Sequence, residues 1–204
     1  MYQRGTPIIK PKLLLGEGIE EVYSFNALLD HLGITDVQVD QYDGKSKIAA
    51  GLKAIKDRSG FINQVVSVGV TRDADYADDP ADDAAAAQRA FQSVSGALAY
   101  ANLPAPIAPI VKAAGKPDIS VFILPDNQKP GMLEDICIAS ATAPDINCIA
   151  EYFDCVALKT GRVQIRRNVA KSRVHAWLGD SIGTRQATRP SRASRLLGLE
   201  QSRI

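Results

Sequence analysis

The stretch "VVSVGVTRDADYADDPADD", residues 65–83, runs from an apolar segment into six aspartates within eleven positions: Asp73, Asp75, Asp78, Asp79, Asp82 and Asp83. Carboxylates this close repel one another unless solvent, a basic neighbour or a cation offsets them. The cluster divides in two. Asp79 followed by Pro80 suits a helix start, with the aspartate as cap and the proline at the first helical position. Asp78, Asp79, Asp82 and Asp83 therefore read as turn and cap acids. Asp73 and Asp75 remain, a pair spaced by one residue where a strand ends.

Outward from that strand the chain alternates. "KLLLG" (12–16) reads as a short buried strand. In "IEEVYSFNALLDHLG", Val22, Phe25, Leu29 and Leu32 recur at helical spacing, and Gly33 supplies a stop. "DVQVDQYDG" has period two and reads as a strand ending near Asp43. "KSKIAAGLKAIKDRSG" puts Ile48, Leu52 and Ile55 on one helical face. "INQVVSVGV" is the third strand, and the helix after the aspartates has Ala87, Phe91, Val94 and Leu98 as its inner stripe. A proline-rich connection leads to the fourth strand in "DISVFILPD". This order predicts an α/β fold, a four-stranded parallel Rossmann-like sheet with helices on both faces. The first strand is expected at the centre beside the third. Three more helical segments, "MLEDICIASA", "DINCIAEYFDCVAL" and "RRNVAKSRVHAWLG", form a C-terminal extension. The domain is expected over 1–179, with 180–204 an appended basic tail.

Charge is unevenly spread. Net charge is +1 overall, but residues 162–204 hold ten Lys or Arg against two acids, leaving −7 on residues 1–161. Such a chain can hold a cation at one place and a polyanion at another, although a solvated tail gives the same pattern. No apolar run nears the roughly 20 residues of a membrane span, and the N-terminal apolar run is too short for a secretory signal. The three cysteines, Cys137, Cys148 and Cys155, show no CxxC spacing. They read as buried thiols suited to a reducing cytosol, so a cytoplasmic location is expected. No GxxxxGK[ST] is present, which excludes a P-loop nucleotide site.

In open α/β sheets, sites form beyond the carboxyl ends of the strands. There the sequence places Glu17, Asp43, Asp73 with Asp75, and Asp126, after the first to fourth strands in turn. The opposite edge has only Asp36 and Asp118 in its loops. Carboxylates gathered on one edge suit a hard divalent cation such as Mg²⁺ or Mn²⁺.

"LLLGEGIEEV" followed by "VVSVGVTRDAD" resembles the TOPRIM domain, the metal-binding module of topoisomerases, primases and several nucleases. Glu17-Gly18 after the first strand and Asp73-Ala74-Asp75 after the third match its marks. Glu21 stands where many members have an aspartate. "GKSKI", "TRDAD", "FILPD", "GMLEDIC" and "KSRVHAWL" are similar to a small prokaryotic family of stand-alone TOPRIM-like proteins, related to the overcoming-lysogenization-defect nucleases. Gly16 and the aspartate-rich loop after Asp75 depart from the pattern. The resemblance implies that Glu17, Asp73 and Asp75 hold Mg²⁺ or Mn²⁺, with Asp126 and Glu134 as further metal candidates. Glu134 is equally read as an acid favoured by a helix N-terminus. Glu17 or Glu21 would be the catalytic base.

Lys45, Lys171 and Arg173 are candidates for nucleic-acid contact, each also readable as a solvated helix lysine or arginine. The expected function is a Mg²⁺-dependent phosphoryl-transfer module, a nuclease on DNA or RNA, with an ATPase on another chain as partner and no membrane association. The alternative is a non-catalytic metal-binding regulatory or scaffold subunit. A receiver-like phosphoacceptor would need a fifth strand ending in lysine, which the sequence lacks.

Overall fold

The computed structural model describes residues 5–161 and 166–183. Four parallel strands, β1 (Lys12–Gly16), β2 (Val37–Gln41), β3 (Ser67–Asp73) and β4 (Asp118–Leu124), form one sheet in the order β2-β1-β3-β4. Both central strands are the ones expected there. Seven helices surround the sheet among the described residues: α1 (Ile19–His31), α2 (Ile48–Lys56), α3 (Phe61–Gln64), α4 (Ala86–Tyr100), α5 (Leu133–Ala139), α6 (Ala143–Thr160) and α7 (Arg166–Gly183).

Strand alternation sorts the core into two faces. Leu13, Leu15, Val68, Val70, Ile119, Val121 and Ile123 pack with α2 and α4, whose predicted stripes are all buried. Val39 and Leu124 pack on the other face with Val22 and Phe25 of α1, Leu133 and Cys137 of α5, and Val174 and Leu178 of α7. Each fully buried Val, Leu, Ile or Phe contributes about 1.5–3 kcal/mol, so these stripes hold the layers together.

The differences from expectation have local causes. The segment read as the start of β3 opens with a helical turn, Phe61–Gln64, and the strand runs on to include Asp73. Leu32, expected on the inner stripe of α1, is 57% exposed because the helix ends at His31 and Leu32 is its C-cap. Asp79 does cap: its side chain accepts from Ala81 N at 2.9 Å, opening a 3₁₀ turn at Pro80–Ala85 that leads into α4. Cys148 and Cys155 are exposed, against expectation, because α6 lies outside the two packed faces and buries none of its residues. Helix α7 passes the expected boundary at 179 and reaches Gly183; the rest of the predicted tail, 184–204, lies outside the described residues. No helix among the described residues is long and apolar enough to cross a membrane.

Candidate functional site

The carboxyl edge of the sheet is built as a cleft of about 490 Å³, lined by Glu17, Glu21, Asp43, Asp73, Lys47 and Lys171 among others. Glu17 follows β1 directly. Its Oε1 accepts from Lys45 N at 3.2 Å, and its carbonyl accepts from Gly44 N at 2.8 Å, tying the β1 end to the loop after β2. Its Oε2 is buried and has no hydrogen-bond partner among the described residues. Glu21, one turn into α1, is 7% exposed and accepts from Gly18 N at 2.9 Å, which caps the helix. The departure at Gly16 is explained here: a Cβ on Gly16 would lie 2.4 Å from Glu21 Cβ, so a side chain there would displace the glutamate.

Asp73, the last residue of β3, is 7% exposed, and its Oδ1 accepts from Leu133 N at 3.1 Å. Asp75 takes a left-handed conformation (φ 62°) and exchanges backbone hydrogen bonds with Gly131, at 2.8 Å and 3.3 Å. Together these bonds pin the start of α5 over the end of β3. That places Glu134, itself 7% exposed, within electrostatic reach of Asp73.

The electrostatics follow from this crowding. Burial pushes Asp73 well above the usual carboxylate range, and Glu21, Glu17, Glu134 and Asp75 push it further. Burial and then Asp75 raise Glu17, opposed by Lys45 N–H, Arg72 and Lys45. Burial also raises Glu21, where its backbone hydrogen bonds oppose the shift and Glu17 and Glu134 add to it. The acids of the opposite edge are compensated instead. Asp36 pairs with Lys12 at 2.7 Å and Asp118 with Lys112 at 2.8 Å, and both are held below the usual range, chiefly by those lysines.

Two candidate cations already stand against the cluster. Lys45 Nζ lies 2.8 Å from Asp75 Oδ2, and Lys171 Nζ lies 3.4 Å from Glu134 Oε1. Burial lowers the Lys171 pKa, but Glu134, Glu20 and Asp73 outweigh it and the net shift is upward. Arg173 stands apart from these, lining a separate cavity of about 210 Å³ with Tyr76 and Asp135. Asp126 serves its own loop: it accepts from Lys129 N at 2.7 Å and Gln128 N at 3.0 Å, and these bonds hold its pKa low. Glu17, Glu21, Asp73, Asp75 and Glu134 are thus brought together electrically.

Arg72 is a member that sequence reasoning passed over. It lies in "TRDAD" beside Asp73, its charge lowers the pKa of Glu17, and its buried Nε and Nη1 have no hydrogen-bond partner among the described residues. Its place between Thr71 and Asp73 was the available signal.

A family model described as "Protein of unknown function (DUF3226)" matches residues 11–182. The chain belongs to this family. The DUF3226 match begins one residue before β1 and ends one residue before the end of α7, so it takes in the sheet and every carboxylate of the cleft. No curated protein and no solved structure matches the chain.

The donor set suits a hard cation in its chemistry: carboxylate oxygens only, one of them buried and unengaged on Glu17. As the side chains stand, no group of three His, Cys, Asp or Glu among the described residues is arranged to hold an ion. The donors share a field without forming a closed ligand shell.

Proposed function

We propose that this chain is a Mg²⁺- or Mn²⁺-dependent phosphoryl-transfer module of TOPRIM type, a nuclease acting on DNA or RNA, working with an ATPase carried on another chain. One observation carries the reading. Asp73 is buried at the carboxyl end of a central strand and held well above the carboxylate range by burial and by Glu21, Glu17, Glu134 and Asp75. Burying several carboxylates together is costly even where one accepts a hydrogen bond, as Asp73 does from Leu133 N–H, and a divalent cation would relieve that cost. The strand order, with β1 beside β3, adds support by bringing the Glu17 and Asp73 strand ends side by side.

Glu17, Asp73 and Asp75 would hold the cation, with Glu134 completing the field. Bound there, it would neutralise phosphate charge and activate water. The chain's own residues do the rest. Glu21 Oε2 is committed to capping α1, whereas Glu17 Oε2 is buried without a hydrogen-bond partner among the described residues and is open to a ligand or a proton. Lys45 and Lys171 can exchange their carboxylate partners for phosphate oxygens and so position the backbone of a polyanion.

A second reading, a non-catalytic metal-binding regulatory or scaffold subunit, is favoured by the same two lysines. Each neutralises a carboxylate that a catalytic centre would present to metal. The purified chain, incubated with single- and double-stranded DNA and RNA in Mg²⁺ or Mn²⁺, tests both readings. Cleavage lost in Asp75→Ala with binding intact supports the nuclease. Metal-induced stabilisation without cleavage, with or without an ATPase partner, supports the subunit.

A further inference from the structure

Helices α1, α5 and α7 enclose a second space, about 100 Å³, next to the acidic cleft. Its floor is apolar: Leu133, Cys137, Val174 and Leu178 are 4%, 1%, 2% and 7% exposed. Glu20, Tyr23 and His175 stand at the mouth and are exposed. The space meets the cleft through Ile19 and Glu20, which line both. Glu134 faces this cavity while its partner Lys171, 3.4 Å away, lines the cleft. A single ligand can therefore put a ring in the cavity and an anionic group beside Lys171. Cys137 is a wall, not a nucleophile: burial, then Glu134, Glu20 and Asp135, pushes its thiol up to about 12.

Size and chemistry narrow the ring. A closed apolar cavity of roughly 150 Å³ takes one benzene; at about 100 Å³ and open on one side, this space takes part of one six-membered ring and excludes a fused pair. Tyr23 and His175 offer stacking faces, which any base can use. Two carboxylates discriminate, Glu20 at the rim and the buried Glu134 in the wall. They accept from an exocyclic amino group such as cytosine N4, whereas uracil and thymine present a carbonyl oxygen there.

We propose that this cavity binds the base of one unstacked pyrimidine nucleotide, cytosine before uracil or thymine, and so sets which phosphate of a nucleic acid enters the acidic cleft. The inference rests on the phosphoryl-transfer reading for that neighbouring phosphate. The pocket itself is tested separately.

The test titrates CMP, UMP and AMP into the full chain with Mg²⁺ present, and follows the Mg²⁺-induced rise in Tm in the same samples. CMP is expected to bind about tenfold tighter than UMP, a typical discrimination for one base-edge contact. Glu20→Gln, at an exposed position, can donate as well as accept, so the CMP-to-UMP ratio should collapse towards unity. Tyr23→Ala should weaken CMP and UMP alike. Equal binding of CMP and UMP, or an unchanged ratio in Glu20→Gln, overturns the pocket while an intact Mg²⁺ response leaves the phosphoryl-transfer reading standing. A preserved CMP preference without any Mg²⁺ response upholds the pocket and overturns that reading.

Discussion

Lys45 makes two contacts with the carboxylate cluster: its Nζ pairs with Asp75 Oδ2 at 2.8 Å, and its backbone N–H donates to Glu17 Oε1 at 3.2 Å. The side chain thus stands where a metal would compete for Asp75, while the backbone contact is independent of side-chain identity. The ion pair is partly exposed (54% and 30%), so its own stability contribution is small, about 0–1 kcal/mol. Lys45→Met should therefore change apo stability by no more than about 1 kcal/mol, yet enlarge the Mg²⁺-induced rise in Tm by releasing Asp75. Thermal melts with and without Mg²⁺ check this. A smaller Mg²⁺ response in the variant would mean that Lys45 helps to build the cation site.

The raised pKa of Asp73 has a pH consequence whose sign is definite. The carboxyl is easier to protonate in the folded chain than in the unfolded one, so the native state binds its proton more tightly. Its stabilisation is fully present below the unfolded value of 3.8 and is lost as pH rises through the folded value. Glu17 and Glu21 act in the same direction. The metal-free protein should thus lose stability as pH rises above the ordinary carboxylate range and through the raised folded values. Asp73→Asn keeps a side-chain oxygen for Leu133 N–H and should flatten that slope. Denaturant melts across this range are the measurement, and an equal slope in the variant would clear Asp73 of responsibility.

Adding Mg²⁺ at neutral pH should reverse the loss. A ligand that binds only the native state stabilises it by mass action, about 2.7 kcal/mol at one hundred times Kd. In Asp73→Asn this rise should disappear while the metal-free protein is as stable as the wild type or more so. Retention of the full rise would remove Asp73 from the site.

The sheet was legible because each strand lies between helices whose stripes carry their periodicity openly, as with Ala87, Phe91, Val94 and Leu98. The clustering of Glu17, Asp73 and Asp75 was legible because strand-end position follows from strand order. What escaped depends on where individual side chains are directed, which strand order does not fix. Asp126 stood at the right strand end, but its Oδ1 accepts from the N–H groups of Gln128 and Lys129 and its Oδ2 pairs with the Lys129 ammonium. Arg173 shares α7 with Lys171, yet lines a different cavity, because side chains two residues apart on a helix diverge. The exposure of Cys148 and Cys155 rests on α6 packing outside both faces, which no helical stripe reveals.

Gly16 offers a test of positioning that alters no charge. A Cβ there would meet Glu21 Cβ at 2.4 Å, far inside contact distance. Gly16→Ala should push the start of α1 outwards and cost about 1–3 kcal/mol, the usual range for overpacking. Because Glu21 caps α1 and Glu17 lies between them, the Mg²⁺-induced rise in Tm should weaken with it. Chemical denaturation and the Mg²⁺ melt, run on one preparation, separate the two effects. A destabilised variant with a normal Mg²⁺ response would make Gly16 purely structural.

The remaining prediction concerns how a body of net −7 over residues 1–161 approaches a polyanion. The cation proposed for the cleft would offset part of the repulsion, and Lys45 and Lys171 another part, but both lysines already serve carboxylates. Residues 184–204 carry five arginines (Arg185, Arg189, Arg192, Arg195 and Arg203) against Glu200 alone. Each phosphate neutralised by such a side chain releases counterions, so affinity should fall linearly with salt on a double-logarithmic plot, with a slope near −0.7 per contact for single strands. Truncation after Gly183 keeps every described element and should reduce both the affinity for a single-stranded oligonucleotide and the salt slope, without changing the Mg²⁺-induced rise in Tm. Fluorescence anisotropy at several salt concentrations measures the slope directly. If the truncated chain keeps the full slope, the phosphate contacts lie on the body, and Lys45 and Lys171 become the residues to substitute next.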